Sequence, residues 1–266
     1  MKIGFIGAGN MATAIIGGLL SAGTAAGDIC VFDTDEAKLQ VFSDKGVCTA
    51  QDSLSLTKIC DIVVLAVKPQ NYSDVLAVIK DEADVNKTFV SIAAGITIDF
   101  VRRGLGVSCP VVRVMPNTPM LLGKGASALC FSENVIPEVR AQVTKMFSSG
   151  GVTEEFSEEY MDAIISIHGS SPAYFYLFAK SMADYAESVG IDRDKAMNLI
   201  CATMEGSAQM LRSSGDDAQT LIDKVSSKGG TTIEALKKFY DHDIANIFNE
   251  AMSACTKRAG ELAAES

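Results

Sequence analysis

The first residues whose types and spacing point to chemistry form a glycine loop near the N-terminus. The apolar run Lys2–Ile6 leads directly into Gly7-Ala8-Gly9-Asn10-Met11-Ala12, and a helical pattern follows at once. This G-x-G-x-x-A spacing suits the pyrophosphate of a dinucleotide, because Gly7 permits a tight turn and Gly9 lets the backbone approach the phosphates. Ala12 lets the helix pack closely on the strand, and the helix N-terminus offers free N–H groups. The alternative is an ordinary glycine-rich turn, but the strand–turn–helix context favours a dinucleotide site.

An acidic residue at the end of the second apolar run bears on the choice of cofactor. Asp33 follows Gly7 by 26 positions. A carboxylate at this place binds the ribose diol of NADH and repels the 2′-phosphate of NADPH. No arginine occurs before Arg102 to bind that phosphate, although Lys38 is a candidate point charge, and Asp35 is interpreted as the N-cap of the next helix. We expect NADH to be preferred, with NADPH as the alternative.

The cysteines and histidines argue against a metal site. The seven cysteines are never closer than twelve positions, so the sequence has no C-x-x-C pair and no zinc-type spacing. The two histidines, His168 and His242, have no spaced partner. We predict no metal, and we interpret the cysteines as free, mostly buried thiols in a reducing compartment.

Composition narrows the class of protein further. The 266 residues include 23 basic and 33 acidic side chains, a net charge of −10, and 48% are apolar. This balance predicts a folded core and argues against nucleic-acid or anionic-membrane partners. The N-terminal run to Leu20 superficially resembles a signal peptide, but Gly7, Gly9 and Asn10 interrupt it. No apolar stretch long enough for a membrane span follows, and we expect a cytoplasmic protein.

The elements that must position these residues change in character near residue 155. Before that point compact β-branched runs alternate with helical patterns, which predicts a Rossmann-type parallel α/β domain over residues 1–156. The predicted strands are Lys2–Ile6, Ile29–Phe32, Ile62–Val67, Thr88–Ile92 and Val111–Val114. The predicted helices between them are Met11–Leu20, Glu36–Ser43 and Tyr72–Lys80, and Gly125–Thr153 is expected to add one more βαβ unit.

From residue 157 to the end the sequence shows helical patterns and no convincing strand. Six helices are predicted, over 158–166, 171–188, 194–213, 216–225, 231–240 and 242–263. The stretch Tyr174–Phe178 is apolar nearly all round, so its helix must be buried, plausibly against a second subunit. We therefore expect an all-α dimerisation and substrate domain over residues 157–266.

Five motifs together resemble the pyrroline-5-carboxylate reductase family. They are GFIGAGNMA at 4–12, AVKPQ at 66–70, RVMPNTP at 113–119, GSSPAY at 169–174 and SSKGGTT at 226–232, and they span essentially the whole chain. The resemblance implies NAD(P)H-dependent reduction of 1-pyrroline-5-carboxylate to proline, the last step of proline synthesis. It also implies a small-molecule substrate and a homodimer that interlocks through the helical domain, with a decamer of five dimers as a further possibility.

The resemblance implies a set of cofactor contacts. Ala8, Asn10 and Met11 would surround the pyrophosphate, and Asp33 and Thr34 would face the adenosine ribose. Segments farther along the chain would reach the adenosine, the nicotinamide ribose and the nicotinamide. The full cofactor-binding set is Gly7, Ala8, Gly9, Asn10, Met11, Asp33, Thr34, Ser53, Val67, Lys68, Pro69, Ala94 and Asn117, and Pro116 and Thr118 would line the mouth beside Asn117.

The resemblance also implies a substrate loop at the start of a helix. Its backbone N–H groups would bind the substrate carboxylate, and the hydroxyl of Thr232 would act catalytically by orienting the ring nitrogen. The alternative for Thr231 and Thr232 is helix capping alone. The substrate-binding set is Glu158, Ser227, Gly229, Gly230, Thr231 and Thr232; Glu159 is an alternative to Glu158, and His168 is interpreted as local structure rather than a general acid.

The sequence departs from the family pattern at several positions. Lys228 stands where the family has proline, Ser171 where it has glycine, Ser53 near a common asparagine, and Asp33 in place of another polar residue. Two other interpretations remain open on these grounds. One is a different imine or hydroxyacid reductase of the same architecture, and the other is a nucleotide-binding protein without catalytic activity.

Overall fold

The computed structural model describes residues 1–265, with side chains through Leu262. Two compact units can be distinguished. The sheet unit comprises Met1–Ser170 and the chain from Ser253 onward, and the helical unit is Ser171–Met252. The predicted boundary between residues 156 and 157 lies within the sheet unit.

The sheet unit is built on eight strands. They are β1 Ile3–Ile6, β2 Ile29–Phe32, β3 Cys48–Thr49, β4 Ile62–Leu65, β5 Thr88–Ser91, β6 Val111–Pro116, β7 Gly125–Phe131 and β8 Gly151–Glu155. Their order is β3-β2-β1-β4-β5-β6-β7-β8, and neighbouring strands are parallel except for β6 and β7. The Rossmann-type fold predicted for this half of the chain is confirmed.

Helices cover both faces of this sheet. They are α1 Asn10–Ser21, α2 Glu36–Ser43, α3 Ser53–Ile59, α4 Tyr72–Ile79, α5 Ile98–Leu105, α6 Pro137–Ser148 and α7 Met161–Ile164, the last continued by a π-helical turn over Ile165–Gly169. The strands are buried on both sides, as their continuous apolar runs predicted. In β4, for example, Ile62 and Val64 belong to the core on one face, while Val63 and Leu65 belong to the core on the other.

The antiparallel β6–β7 pair is a departure from the all-parallel sheet expected from the sequence. The chain between these strands contains only a short 3₁₀ turn over Thr118–Leu122. A parallel pair needs a crossover of a dozen or more residues, so this connection permits only an antiparallel return. The chain then resumes the β–α–β pattern, because α6 crosses over between the parallel strands β7 and β8. The additional βαβ unit predicted over Gly125–Thr153 is therefore confirmed.

The helical unit contains the helices that follow. They are α8 Ser171–Ser188, α9 Arg193–Ser213, α10 Ala218–Val225, α11 Thr231–Asp241 and the first part of α12 Ile244–Glu265. These bounds lie within three residues of those predicted, and the stop signals Gly190 and Gly215 both have positive φ. The remaining prediction, a helix over 158–166, corresponds to a 3₁₀ turn, the short α7 and the start of the π-helical turn.

Two absences bear on the class of protein. Along the described part of the chain, no helix has both the length and the apolar character that crossing a membrane requires. Within the same residues no group of histidine, cysteine and carboxylate side chains is arranged to hold a metal ion. All seven cysteines are free, and four of them, Cys30, Cys60, Cys109 and Cys130, are buried.

Candidate functional site

A cleft of about 470 Å³ opens at the carboxyl ends of β1, β2 and β4. It lies where the strand order reverses direction, between β1 and β4, which is where open α/β sheets bind nucleotides. Its size is typical of ligand sites. The lining residues are Ile6, Gly7, Gly9, Phe32, Asp33, Thr34, Lys38, Ser53, Ala66, Val67, Lys68, Gln70, Asn71 and Val75.

The glycine loop forms one wall of this cleft, and its two glycines have separate structural reasons. Gly7 has φ +105°, and a Cβ at this position would stand 2.6 Å from the carbonyl oxygen of Ala66. A side chain at Gly9 would meet nothing within 4 Å, so the space above this residue is open to a ligand. Gly9 is also the N-cap of α1 and provides no side-chain acceptor, so the first N–H groups of the helix are available to phosphate oxygens.

Asp33 binds the glycine loop from the end of β2. Its Oδ2 accepts a hydrogen bond from the Ala8 N–H at 2.7 Å, and its Oδ1 accepts one from the Asp35 N–H at 2.9 Å. Burial by itself raises the pKa of this carboxyl, but these two N–H donors and Lys38 outweigh burial and hold the pKa below its ordinary value. Asp33 is therefore ionised at neutral pH, and the Ala8 N–H is already engaged.

The ammonium group of Lys38, a candidate for binding the 2′-phosphate, is already paired with two carboxylates. Its Nζ lies 3.4 Å from Asp33 Oδ1 and 3.8 Å from Asp35 Oδ2. Asp35 also caps α2 by accepting the Ala37 N–H at 3.0 Å, as the sequence predicted. Two carboxylates, Asp33 and Asp35, thus stand near one ammonium group at the β2 side of the cleft.

Seven of the thirteen cofactor residues implied by the resemblance line this cleft, namely Gly7, Gly9, Asp33, Thr34, Ser53, Val67 and Lys68. Ala8, Asn10 and Met11 adjoin it through the glycine loop and α1, and Pro69 follows Lys68 as the first residue of a 3₁₀ turn. Ala94 lies just beyond β5 and is not among the lining residues. Besides Lys38, the cleft is lined by six residues outside the predicted set. Ile6, Phe32, Ala66 and Gln70 adjoin a residue of the set in sequence, whereas Asn71 and Val75 do not.

Asn117, the last of the thirteen residues, does not line the cleft and makes hydrogen bonds within the protein. Its side chain is 9% exposed, donates to the His168 carbonyl oxygen at 3.1 Å and accepts from the Ala126 N–H at 2.9 Å. The His168 ring in turn contacts the Met115 carbonyl oxygen through Nε2 at 2.7 Å. Asn117 and His168 therefore fasten the π-helical turn to β6 and β7, which agrees with the interpretation of His168 as local structure.

Glu158 is also occupied by structural contacts. Its Oε1 accepts the Ile98 N–H at the start of α5 at 2.8 Å and lies 3.6 Å from Arg113 Nη1. Arg113 is almost fully buried and donates to Asp162 at 2.5 Å. A buried guanidinium needs such partners, so Glu158 stabilises Arg113 in the core of the sheet unit, while its own side chain stays 35% exposed.

The loop expected to bind substrate lies in the helical unit. Gly230 is the N-cap of α11, with no side-chain cap, and its N–H donates to the Ser227 carbonyl oxygen at 2.9 Å. Thr231 and Thr232 are the first two residues of the helix, so neither is its N-cap, and the capping alternative is wrong. Ser226 belongs to the motif SSKGGTT but not to the predicted substrate-binding set, and its buried hydroxyl has no hydrogen-bond partner among the described atoms.

A second cavity, of about 670 Å³, lies between α5 and the ends of β7 and β8. Its polar residues are largely engaged in hydrogen bonds and ion pairs with other parts of the sheet unit. Arg102 donates to the Cys109 carbonyl oxygen, Glu133 and Asn134, and Glu155 pairs with Arg140. The glycine loop and the free helix N-terminus are absent from its lining, so the cleft at β1, β2 and β4 is the better candidate site.

The fold and the cleft define a dinucleotide-dependent oxidoreductase of the Rossmann type. Comparison with known proteins gives the family. Residues 158–262 match the family model described as pyrroline-5-carboxylate reductase dimerisation, and residues 2–95 match the one described as NADP oxidoreductase coenzyme F420-dependent. The pyrroline-5-carboxylate reductase of Escherichia coli K12 is 36% identical over 98% of both chains. The chain belongs to the pyrroline-5-carboxylate reductase family.

Solved structures agree with this assignment. A pyrroline-5-carboxylate reductase from Coxiella burnetii superimposes with a TM-score of 0.92 at 33% identity and covers 98% of each chain. The Plasmodium falciparum pyrroline carboxylate reductase with NADP bound gives 0.90 at 30% identity, covering 99% of this chain and 98% of its own. The resemblance drawn from the five motifs is confirmed over essentially the whole chain.

Proposed function

We propose that this chain reduces 1-pyrroline-5-carboxylate to L-proline with a hydride from NAD(P)H. The observation that carries the proposal is the match to relatives of that name over 98% of the chain, including both the cleft and the substrate loop. The reaction adds a hydride to the imine carbon and leaves an amine at the ring nitrogen, so the protein must bind a nicotinamide nucleotide and a small cyclic carboxylate.

The cleft fits the cofactor on structural grounds of its own. Gly7 must be glycine for the loop to pack against Ala66, and the open space above Gly9 lets a phosphate approach the backbone closely. The N–H groups at the start of α1 would hold the pyrophosphate, with Asn10 and Met11 beside it, and Val67 and Lys68 would hold the nicotinamide ribose. When bound, NAD(P)H supplies the hydride.

The start of α11 supplies the groups suited to the substrate. The N–H groups of Thr231 and Thr232 stand at a helix N-terminus, where a carboxylate is stabilised by hydrogen bonds and the helix dipole. Gly229 has φ +75°, a conformation that favours glycine, and it turns the chain into the helix. Ser227 completes the loop through its carbonyl contact with Gly230.

Thr232 is the proposed catalytic residue. As the second residue of α11 it is free of a capping role, and its hydroxyl would orient the ring nitrogen and guide a proton to it as the hydride reaches the neighbouring carbon. Replacing Thr232 with alanine should lower kcat by about a hundredfold, at the lower end of the usual contribution of one proton-handling group, while Kd for NADH stays constant. Thr232→Ser should retain most of the activity; equal loss in both variants would contradict the assignment.

NADH is the proposed preferred cofactor. Asp33 is ionised, Asp35 lies beside it, and Lys38 is shared between the two, so the local field disfavours a 2′-phosphate. The structure of the relative from Plasmodium falciparum has NADP bound. The preference for NADH is therefore proposed for this chain and not for its relatives.

The proposed oligomeric state is a homodimer, and the proposed compartment is the cytoplasm. The helical half matches a dimerisation model, which supports a homodimer, and a decamer of such dimers remains the larger alternative. We place the boundary of the dimerisation domain at residues 156–157 and the protein in the cytoplasm, where proline synthesis would use it.

The experiment that tests this function combines purified protein, NADH or NADPH and 1-pyrroline-5-carboxylate. We expect loss of nicotinamide absorbance and formation of L-proline in equal amounts, faster with NADH. Nucleotide binding without turnover would instead support the non-catalytic interpretation, and turnover only with a different imine would change the substrate.

A further inference from the structure

Tyr72 places a hydroxyl group in the core beneath the cofactor cleft. It is the first residue of α4 and is 1% exposed. Its hydroxyl lies 2.6 Å from the Leu65 carbonyl oxygen and 3.1 Å from Ser91 Oγ. A carbonyl oxygen can only accept, so Tyr72 donates to Leu65 and in turn accepts from Ser91.

These two partners are the last residues of neighbouring strands. Leu65 ends β4 and Ser91 ends β5, and the strands pair in register at these residues. Directly after Leu65 the chain enters Ala66–Lys68, which lines the cleft. Directly after Ser91 it runs toward Ala94, the residue implied by the family resemblance near the nicotinamide. Tyr72 thus joins the two strand ends from which both segments leave the sheet.

Packing alone does not require this hydroxyl. A phenylalanine would fill nearly the same volume, and burying a hydroxyl is unfavourable unless it is hydrogen-bonded. Burial raises the pKa of Tyr72 well above its ordinary value, while Ser91 and the backbone of Ile92 and Ala93 lower it in part. The phenol therefore stays protonated and remains a donor to Leu65 at physiological pH.

We propose that Tyr72 is a positioning residue for the nicotinamide cofactor. Its hydroxyl fixes the separation of the ends of β4 and β5 and so holds Ala66–Lys68 in the conformation that contacts the bound nucleotide. The inference rests on the proposed use of the cleft for NAD(P)H. It adds a residue that touches neither the cofactor nor the substrate and acts through Leu65 and Ser91.

The test compares Tyr72→Phe with Tyr160→Phe, which makes the same change at an exposed tyrosine of the sheet unit. Calorimetric titration with NADH measures Kd without turnover, and steady-state kinetics then separate KM from kcat. We expect Tyr72→Phe to raise Kd and KM for NADH by about fivefold, equivalent to about 1 kcal/mol, with a smaller change in kcat. Tyr160→Phe should bind NADH as the unaltered protein does.

A second variant keeps the inference falsifiable. Ser91→Ala removes the other end of the same hydrogen-bond chain, so the double variant should bind NADH no more weakly than Tyr72→Phe alone within about twofold. A lower Tm in Tyr72→Phe with Kd unchanged would overturn the positioning role while leaving the proposed function intact. Failure of the unaltered protein to bind either nucleotide would overturn both.

Discussion

The carboxylate of Asp33 has two consequences in the sheet unit. It holds the glycine loop through the Ala8 N–H, and under the proposed function it would set the charge that the ribose of a bound nucleotide meets. The sequence predicted the second consequence from the position of Asp33 after β2. The sequence did not predict the contact with the glycine loop, because Ala8 lies 25 residues from Asp33 and only the folded structure brings its N–H to the carboxylate.

The effects of Asp33 and Asp35 on nucleotide binding can be separated by replacing each residue with asparagine. Asp33→Asn should weaken NADH binding, because the loop contact is lost or weakened, and shift the Kd ratio toward NADPH by about tenfold, or about 1.4 kcal/mol. Asp35→Asn keeps a good N-cap and removes only the charge, so it should shift the ratio less and leave Kd for NADH unchanged. Titration of each variant with both nucleotides measures this; an unchanged ratio in Asp33→Asn would exclude a role in selectivity.

The buried thiols of Cys109 and Cys130 should make the free energy of unfolding decrease at alkaline pH. Burial raises the pKa of Cys109 and of Cys130 to about 11 in the folded protein, against 9.0 for a free thiol. The unfolded chain therefore loses these protons first, so the stabilisation is complete below pH 9 and is lost as pH rises toward 11. Urea unfolding at about pH 8 and about pH 10.5 should show a smaller decrease for Cys109→Ala than for the exposed control Cys201→Ala. Equal decreases in both would contradict the assignment.

Two residues that the sequence predicted for the site make contacts with residues far apart in sequence. Asn117 lies within the motif RVMPNTP, and its partners are His168 and Ala126. Glu158 precedes the motif GSSPAY, and its partners are Ile98 and Arg113. Sequence spacing does not reveal such partners. Gly7 was predictable for the opposite reason, since the tight turn it makes is a local requirement of the strand–turn–helix unit.

At the scale of elements, the strands that are buried on both faces were predictable because apolar content alone marks them. The strands and helices that the sequence did not predict are β3, α3 and α5, of two, seven and eight residues. β3 has only two residues, and α3 is specified by a local device, the capping box of Asp52 and Ser55, rather than by a long apolar period. The antiparallel pairing of β6 and β7 follows from the short connection between them. The apolar pattern of a strand does not reveal the direction in which it pairs.

One helix connection is strained and offers a stability test. Asp243, between α11 and α12, has φ +51° and is the one residue other than glycine with positive φ in the described chain. Asp243→Gly should raise the free energy of unfolding by up to about 1 kcal/mol, because glycine adopts this conformation without a Cβ penalty. Asp241→Gly, inside the last turn of α11, should lower it by about 0.5–1 kcal/mol. Thermal unfolding of both variants measures the difference; destabilisation by Asp243→Gly would show that the aspartate makes a compensating contact.

At the scale of the whole molecule, the helical unit buries little of its own apolar surface. Its buried apolar residues are Ala179, Ala183, Ala186, Ala196 and Ile200, whereas none of its described aromatic side chains is buried. A groove of about 950 Å³ lined by α8, α9, α11 and α12 includes Tyr185, 69% exposed, and Leu199, 72% exposed. Exposed apolar area of this extent is typical of a subunit interface and agrees with the dimerisation model matched by this part of the chain.

A charge in this groove should prevent assembly. Leu199→Glu is expected to convert the proposed dimer to a monomer, because a carboxylate buried in an apolar interface without a partner is strongly unfavourable. Val85→Glu in the sheet unit is the matched control, since Val85 is 60% exposed and lies outside the groove. Light scattering after size-exclusion chromatography gives the mass of each; an unchanged oligomer in Leu199→Glu would place the interface elsewhere.

The central claim is that hydride passes from the nicotinamide to the imine carbon of the substrate. The most direct measurement uses NADH carrying two deuterium atoms at C4 of the nicotinamide, with 1-pyrroline-5-carboxylate and the unaltered protein. The account predicts L-proline heavier by one mass unit, with the deuterium at C5, by mass spectrometry and NMR. Proline without deuterium, or oxidation of NADH without proline, would contradict it.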